Sequence, residues 1–476
     1  MMIKIPNPKS SAPPRGHPGR IQNSLVGVVA DDITGANDIG IMFAKAGLVT
    51  HVYSYKSVYS LAGEVGVEEA DVCILDTDSR YDTPQVAYEK VFAATRELQR
   101  AGSARFFNKT CSVFRGNIGP EFDAMLDALD EQFAVVVLGF PKNGRTTVDG
   151  IHYVHGKLLE ESEFRQDPMH PMTCSNLVEI LQSQTRRKVA LLTHEVIERG
   201  PDTLHERIEQ LHEQCNYLIL DVPDQPALRT IAEAVQACKV LCGSSALAEE
   251  LPAFWGVQRS SWGITIAPQK GDALASDEIM LPDPSDAGVL CVAGSLMPQT
   301  GAQIAYLRGR GVPTWQLDSA RLFDPTARKE ETSRLVAEIA PRLRQGEDVL
   351  LHTANDPLSV QKTHDAGAGK GLEKAAVSRL VSSTLADLTS SLCAEADVNR
   401  LVIAGGDTSA AICDRLGITG MRIWQEIQPG LPSCVSLTDP PMLLVLKSGS
   451  FGTLDFLEQA IQHVRRETEM EDSYYE

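Results

Sequence analysis

The chain has 476 residues, which is too long for a single hydrophobic core and predicts about two domains. Its apolar fraction of 43% and charged fraction of 22% exclude a disordered chain and are ordinary for a globular enzyme. A formal net charge of −19 argues against nucleic acid or an anionic membrane as the main partner, although a local basic pocket can still bind a small anion.

Neither the chain ends nor the cysteines indicate a special environment. Residues 1–20 are rich in proline and small polar residues and lack the apolar stretch of a signal peptide. No apolar run is long enough to span a bilayer. The ten cysteines form neither a disulfide scaffold nor a metal-ligand spacing. We therefore expect a cytoplasmic protein, and the metal-ligating residues stay unknown.

The first half alternates short apolar runs with helical patterns, such as the helix predicted at 84–102. Near-continuous runs of Val, Ile and Leu separated by helices indicate a mainly parallel sheet covered on both faces. The predicted strands lie at 25–30, 71–77, 104–110, 133–140, 188–193 and 215–222.

The pattern breaks at 265–288, a stretch rich in Pro, Gly, Asp and Ser that predicts an interdomain linker. A second series of strands separated by helices follows. The predicted fold class is therefore α/β, with two domains that each contain a mainly parallel sheet flanked by helices. The strands of the second series are predicted at 289–295, 348–354, 399–406 and 441–449.

Polar side chains follow four successive strands of the first half. Because open parallel sheets bind ligands beyond the carboxyl ends of their strands, these residues are expected to share a pocket. Each one alone is equally well explained as a helix cap or a surface ion pair. Together they would surround a small polyhydroxylated acid with cations and carboxylates. They are Asp31, Asp32, Asp76, Asp78, Arg80, Lys109, Ser112, Arg115, Asn117, Lys142, Asn143, Arg145 and Thr146.

The adjacent carboxylates of Asp31 and Asp32, at the end of the first strand, are the catalytic candidates. A carboxylate at such a position can act as general base on a substrate hydroxyl. The sequence leaves open which of the two does so.

Three glycine-rich stretches end strands of the second half: AGS (293–295), AGGDTS (404–409) and KSGSFG (447–452). Glycine lets backbone N–H groups approach an anion, and a helix N-terminus adds a favourable dipole. Three such loops suggest a nucleotide, whereas each alone is also a plain tight turn. AGAGKG (366–371) lacks the Ser or Thr of a P-loop and a preceding strand, so it is interpreted as a mobile loop, and no GxGxxG motif opens a helix after a strand.

Several long motifs resemble those of the four-carbon acid sugar kinases, in order from about residue 25 to about residue 464. They are VVADDITGAND, KTCSVFRGNIG, FPKNGRTTVDG, EFRQDPMHPM, AGGDTSAAICDRLGITGMRIWQEIQPGLP and LKSGSFG. The resemblance implies a kinase that phosphorylates the terminal hydroxyl of threonate, erythronate or a 3-oxo-tetronate with ATP and Mg²⁺, with its active site between two domains.

The resemblance also implies which part of the chain binds which ligand. We expect a flexible arm at 1–23, an acid-sugar-binding domain at 24–263, a linker at 264–287, a nucleotide-binding domain at 288–466 and an acidic tail at 467–476. Predicted substrate contacts are Asp32, Arg80, Lys109, Thr110, Cys111, Ser112, Arg115, Asn143 and Arg145. Predicted nucleotide contacts are Ser295, Gly405, Gly406, Asp407, Thr408, Ser409 and Gly449.

One motif departs from the family pattern, which commonly reads Lys-x-Asp-Ser-Thr-x-Arg-Gly-Asn. This chain has Cys111 in place of that Asp and Val113 in place of the Thr. Loss of a carboxylate and a hydroxyl is expected to change which substrate hydroxyls are held, and hence the preferred acid. Cys111 itself is either a packed thiol or a reactive one.

Two other functional classes stay open. In one, the Asp31–Asp32 pair is a metal site of a phosphatase or aldolase, which leaves the three glycine-rich loops unexplained. In the other, the protein is a non-catalytic sensor of an acid sugar and ATP. A branched or larger sugar acid as substrate and a homodimeric state are compatible with the sequence.

Overall fold

The computed structural model describes residues 25–55, 70–167, 169–255, 281–283 and 285–469. The predicted arm at 1–23 and most of the predicted linker lie outside these residues. The strands are β1 (Val26–Ala30), β2 (Thr50–Ser54), β3 (Val72–Asp76), β4 (Arg105–Lys109), β5 (Ala134–Val137), β6 (Arg145–Val148), β7 (Ile151–Val154), β8 (Lys157–Leu158), β9 (Val189–Leu192), β10 (Tyr217–Leu220), β11 (Val240–Gly243), β12 (Leu290–Ala293), β13 (Thr314–Leu317), β14 (Val349–Thr353), β15 (Arg400–Ala404), β16 (Gly420–Gln428), β17 (Leu431–Ser436) and β18 (Leu443–Lys447).

The helices cover both faces of the main sheet. They are α1 (Ile33–Ala44), α2 (Pro84–Arg100), α3 (Ile118–Leu129), α4 (Leu177–Gln182), α5 (His194–Ile197), α6 (Pro201–His212), α7 (Gln225–Val235), α8 (Ala246–Glu250), α9 (Pro298–Gly309), α10 (Pro325–Arg344), α11 (Pro357–Ala368), α12 (Lys374–Ala396), α13 (Gly406–Arg415) and α14 (Phe456–Glu469). Among the described residues, none of these helices combines the length and the apolarity needed to cross a bilayer.

The α/β fold class predicted from the apolar runs is confirmed, and alternate residues of one strand show why. In β1, Val28 packs in one apolar cluster and Val29 in another, and both are buried. A strand buried on both faces needs apolar residues at every position, which is the pattern of a parallel sheet between two helix layers.

The strands of the two halves join into one sheet of 15 strands, in the order β13-β14-β12-β15-β18-β17-β16-β2-β3-β1-β4-β11-β5-β10-β9. The β16–β17 hairpin makes the junction: β16 pairs antiparallel with β2, and β17 antiparallel with β18. Sequence analysis missed this hairpin, although Pro429-Gly430, with Gly430 at φ +75°, marks its turn.

A small antiparallel sheet, β6-β7-β8, follows strand β5 in the chain. Its two turns, Asp149-Gly150 and His155-Gly156, have positive φ at both residues, as two-residue hairpins require. AGAGKG is not a mobile loop. Ala366–Ala368 are the last residues of α11, where Gly367 packs so closely on α12 that an added Cβ would lie 2.4 Å from Val377 Cγ2, and residues 369–371 form the turn between the two helices.

The junction between the halves supplies a test of stability. Ile423 of β16 is buried and packs against Gly40 of α1, where an added Cβ would lie 2.8 Å from its Cγ1. We expect Ile423→Ala to lower the free energy of unfolding by about 2–5 kcal/mol, because it removes buried methyl groups and leaves a cavity. Urea denaturation measures the effect. The exposed Leu358→Ala is the control, and an equal loss in both variants would contradict the packing role.

Candidate active site

The turn between β1 and α1 holds Asp32 as the N-cap of the helix. Its Oδ1 accepts a 2.7 Å hydrogen bond from the Gly35 backbone N–H, and its Oδ2 accepts one of 2.9 Å from the Thr34 hydroxyl. An Asp at this position satisfies a helix N–H group that has no partner within the helix. The capping interaction therefore fixes the direction of the carboxylate.

Arg80, in the loop after β3, holds both carboxylates of the pair. Its Nε and Nη2 donate to the two oxygens of Asp31 at 2.8 and 2.7 Å, and its Nη1 donates to Asp32 Oδ2 at 2.6 Å. Burial opposes the ionisation of Asp32, but Arg80 and then Lys109 lower the pKa of that carboxyl below its ordinary value. Asp32 is thus an anion over the whole neutral range.

A further carboxyl lies behind this ion triad. Glu121 of α3 is buried and accepts a 2.8 Å hydrogen bond from the Ser79 hydroxyl. Burial and then the charge of Asp31 raise the pKa of Glu121 well above its usual range. The surroundings of Glu121 therefore favour its protonated form, since a third carboxylate there would compete for the same guanidinium.

Lys109, at the end of β4, is the second cation of the site. Its ammonium donates to the Thr110 carbonyl at 3.0 Å and lies 3.6 Å from Asp38 Oδ2. Gly35 is required here, because an added Cβ would lie 2.5 Å from Asp32 Oδ1 and 3.0 Å from Lys109 Nζ. The glycine therefore lets the cation approach the capped carboxylate.

Arg115 is the third cation, and it lies between Cys111 and Asp167. Its Nε donates to Cys111 Sγ at 3.3 Å and its Nη1 to Asp167 Oδ2 at 2.6 Å. Burial alone would raise the pKa of the Cys111 thiol, but Arg115 and then Arg80 lower it below its usual value. The sulfur thus lies among cations at the position where the family pattern has a carboxylate.

These groups surround the first of two adjoining cavities, which we call the cation-lined cavity. The site residues that the sequence predicted here come from three separate strand ends, as expected for a parallel sheet. The lining consists of Asp32, Thr34, Gly35, Asp38, Arg80, Lys109, Cys111, Ser112, Arg115, Phe164, Gly430, Leu431, Ser448, Ser450 and Phe451.

The second cavity contains the glycine-rich loops, and we call it the glycine-lined cavity. Gly449 permits close contact between two of the loops, since a Cβ there would lie 2.2 Å from Ser295 Oγ. Gly405, at φ +124°, precedes α13 and leaves the helix N-terminus accessible. The lining includes Ser295, Gly405, Gly406, Asp407, Thr408 and Gly449 from the loops, and Asp32, Arg80, Tyr81, Arg115, Asp167 and Met169 from the first half.

Lys447 lies beneath the last of these loops and is fully buried. Its ammonium donates to the hydroxyl of Thr300 at 3.0 Å and to the carbonyls of Ser448 and Gly449 at 2.8 and 3.0 Å. Burial lowers its pKa to about 7, and Cys291 only partly opposes this. The loop therefore rests on an amino group whose hydrogen bonds within the described residues all go to neutral oxygens.

Ten of the site residues predicted from the sequence line neither cavity: Asp31, Asp76, Asp78, Thr110, Asn117, Lys142, Asn143, Arg145, Thr146 and Ser409. Asp31 accepts hydrogen bonds from Arg80 and so helps to position it. The carbonyl of the buried Thr110 accepts a hydrogen bond from Lys109. Asn143 donates to the Pro429 carbonyl at 3.4 Å, and Ser409 is buried in α13. Arg145 contacts the Asn143 carbonyl and lies 3.4 Å from Ser450 Oγ, so it supports the wall from behind.

Sequence reasoning missed several lining residues for one reason: they do not follow a strand of the predicted series. Asp38 lies within α1, Phe164 and Asp167 follow the small sheet, and Gly430 is in the β16–β17 turn. The repeated aspartate in DDITGAND was the available signal for Asp38.

One other group of potential metal ligands, Asp149, His194 and Asp221, lies outside both cavities. The Asp221 carboxylate accepts backbone N–H groups of Asp149, Gly150 and His194 at 2.7, 2.9 and 3.0 Å. These hydrogen bonds give Asp221 a structural role, because they connect the end of β10 to the β6–β7 turn.

Comparisons with known proteins identify the relatives of this chain. Family models match residues 26–251 as a sugar-binding N-terminal domain and 290–457 as a nucleotide-binding C-terminal domain. A 3-oxo-tetronate kinase of Cupriavidus necator is 34% identical over 445 residues, covering 92% of this chain and 97% of that protein.

Two solved structures share the fold. A Salmonella typhimurium LT2 protein, provisionally described as a tRNA synthase, aligns with a TM-score of 0.74 at 26% identity, covering 91% of this chain and 98% of that one. A Haemophilus influenzae protein of the family DUF1537 aligns with a TM-score of 0.65 at 28% identity, covering 92% of this chain and 100% of that one.

The buried Lys447 generates a pH-dependent prediction. Between pH 7 and 10 the unfolded chain keeps a lysine proton that the folded chain has released, so this group makes stability rise with pH. We expect Lys447→Met to lose that contribution, reducing the slope of the unfolding free energy by about 1.4 kcal/mol per pH unit. Urea denaturation of both proteins at pH 6 to 9.5 measures it, and parallel curves would contradict the lowered pKa.

Proposed function

The chain belongs to the four-carbon acid sugar kinase family, and we propose that it transfers the γ-phosphoryl group of ATP to the terminal hydroxyl of a sugar acid of the 3-oxo-tetronate type. The observation that carries this proposal is the pair of adjoining cavities. Asp32, Arg80, Arg115, Ser448 and Ser450 line both of them. An acceptor in one cavity and a phosphate chain in the other would meet at these residues.

The substrate carboxylate fits between Lys109 and Arg115, with the Ser112 hydroxyl beside them. All three residues line the cation-lined cavity. Arg80 is less suited, because its Nε, Nη1 and Nη2 all donate to Asp31 and Asp32. Arg115 uses Nε and Nη1 for Cys111 and Asp167, and within the described residues no hydrogen bond is formed by its Nη2. Charge-assisted contacts of this kind bind carboxylates strongly.

Asp32 is the proposed acceptor of the hydroxyl proton. A carboxylate offers about four acceptor positions, and Gly35, Thr34 and Arg80 use three of those on Asp32. The fourth can receive the terminal hydroxyl. As that oxygen bonds to the γ-phosphorus, the bond from phosphorus to the β,γ-bridging oxygen breaks, and the proton passes to Asp32. A weak base suffices, because phosphoryl transfer depends mainly on positioning and charge stabilisation.

The glycine-lined cavity is the proposed nucleotide site. The three loops would surround a phosphate chain with backbone N–H groups and with the hydroxyls of Ser295 and Thr408, two residues that line this cavity. Farther along the same cavity, Val360, Val377 and Val381 of α11 and α12 offer an apolar surface suited to the base. Lys447 would hold the carbonyls of the loop so that its N–H groups face the phosphates.

Asp407 lines the same cavity and offers a carboxylate to Mg²⁺, a hard cation that prefers oxygen ligands. The side chain of Asp407 is exposed to the cavity, yet the enclosing walls and then the charge of Asp78 raise its pKa to about 6. Repulsion between the carboxylates of Asp407 and Asp78 would be relieved by a cation bound between them. Asp407 and Asp78 would hold the ion, which neutralises charge on the phosphates when bound.

The direct test is ADP release from ATP and Mg²⁺ with a panel of sugar acids. The panel comprises D- and L-threonate, D- and L-erythronate, their 3-oxo forms and branched analogues. We expect acid-dependent release with a 3-oxo-tetronate. Phosphate release from the phosphorylated forms of these acids in the absence of nucleotide would favour a phosphatase, and binding of both ligands without ADP release would favour a sensor. Either result would overturn the proposal.

Asp32→Asn tests the proposed base. We expect kcat to fall by about 100-fold or more, because the amide can neither take the proton nor balance Arg80. The KM for ATP should stay within about threefold, since Asp32 touches the acceptor rather than the adenosine. Steady-state kinetics measure both constants. Asp202→Asn, on the exposed face of α6, is the matched control, and an unchanged kcat for Asp32→Asn would end its role as base.

A further inference from the structure

The cation-lined cavity contains one carboxylate oxygen that the proposed mechanism leaves without a partner. Asp38 of α1 is 4% exposed. Its Oδ2 accepts a 2.7 Å hydrogen bond from the Ser245 hydroxyl and lies 3.6 Å from Lys109 Nζ. Its Oδ1 has no hydrogen-bond partner among the described residues. A buried acceptor without a donor is costly and uncommon, so a binding role would explain it.

The protein chain around Oδ1 does not supply the missing donor. Gly430 comes closest, since a Cβ added there would lie 2.3 Å from Oδ1. However, the Gly430 N–H donates to Glu426 Oε1 at 3.2 Å. The turn therefore covers one side of Asp38 without donating a hydrogen bond to Oδ1. Both residues line the cation-lined cavity, so a ligand there is the remaining source of a donor.

The charge around Asp38 selects the kind of group that can bind it. Burial raises its pKa to about 6, Lys109 and Ser245 oppose the rise, and Asp32 adds to it. Arg145 is a second cation that interacts electrostatically with this carboxylate. At neutral pH the ionised carboxylate only accepts hydrogen bonds. The ligand group must therefore be a hydroxyl, because a keto oxygen has no proton to donate and a carboxylate is repelled.

The place of Asp38 beside Lys109 indicates which hydroxyl this is. With the substrate carboxylate proposed on Lys109 and Arg115, and the terminal hydroxyl on Asp32, the carbon next to the carboxylate would lie nearest to Asp38, because Asp38 Oδ2 is 3.6 Å from Lys109 Nζ. A 3-oxo-tetronate carries a hydroxyl at that carbon, C2, and a keto group at C3. The C2 hydroxyl is thus the donor that fits.

We propose that Asp38 determines substrate specificity by accepting a hydrogen bond from the C2 hydroxyl of the sugar acid through Oδ1. This inference rests on the proposed kinase function and assigns a role to a residue outside the phosphoryl-transfer machinery. A site built around such a hydrogen bond rejects analogues that lack the hydroxyl, because the buried acceptor then stays unpaired.

The test compares the acid that the wild-type enzyme phosphorylates best with its 2-deoxy analogue. For the wild type we expect kcat/KM to fall by about 100-fold or more on loss of the hydroxyl. Asp38→Asn should lose most of this discrimination, through a lower kcat/KM for the hydroxy acid alone, and should keep its KM for ATP. Ser245→Ala removes an Oδ2 partner that also holds the pKa of Asp38 down, so all proteins are assayed at alkaline pH, where Asp38 is ionised; there this variant should discriminate like the wild type.

Each other outcome overturns one identifiable claim. Equal kcat/KM for the two acids in the wild type overturns the role of Asp38 whether or not any variant folds. An equal loss on both acids in Asp38→Asn makes it a structural residue. Calorimetric titration of the wild type with each acid separates these results from failure of the kinase proposal, in which ATP binds but no acid of the panel binds or is phosphorylated.

Discussion

The site depends on a buried ion triad in which one guanidinium neutralises two adjacent carboxylates. Arg80 donates to Asp31 with two nitrogens and to Asp32 with the third. Two carboxylates in neighbouring positions would otherwise repel each other, and one would be protonated. Because all three donors point inward, the triad leaves Asp32 ionised and fixed. Removing one partner of such a buried arrangement leaves an uncompensated charge, at a cost of about 3–5 kcal/mol.

The other cations are each used in a different way, and this difference organises the two cavities. Lys109 lies between two carboxylates, Arg115 between a thiol and a carboxylate, and Lys447 among neutral oxygens. The first two can share their charge with an anionic ligand in the cavity that they line. Lys447 instead acts on backbone carbonyls, so its effect reaches a ligand only through the loop above it.

The sequence predicted those parts of the site that follow directly from parallel strands. Asp32, Arg80 and Lys109 each end or follow a buried strand, so the shared edge of the sheet brings them together. Asp38 could not be found in this way, because it lies inside a helix and matters only through an unpaired oxygen. The joining of the two sheets was also missed, since it depends on the pairing of β16 with β2, over 360 residues apart in the chain.

Cys111 shows how a departure from the family pattern changes the surroundings of Arg115. The resemblance places an aspartate at this position, where it would face Arg115. Here the thiol occupies it, and Arg115 and Arg80 favour its ionised form against the opposing effect of burial. Sulfur is larger than oxygen and a weaker acceptor, so Arg115 Nε contacts it at 3.3 Å while Nη1 forms a 2.6 Å bond to Asp167. The guanidinium is thus anchored from the Asp167 side. The substitution therefore changes the space beside the proposed position of the substrate carboxylate, because a larger atom with weaker hydrogen bonding lies next to Arg115.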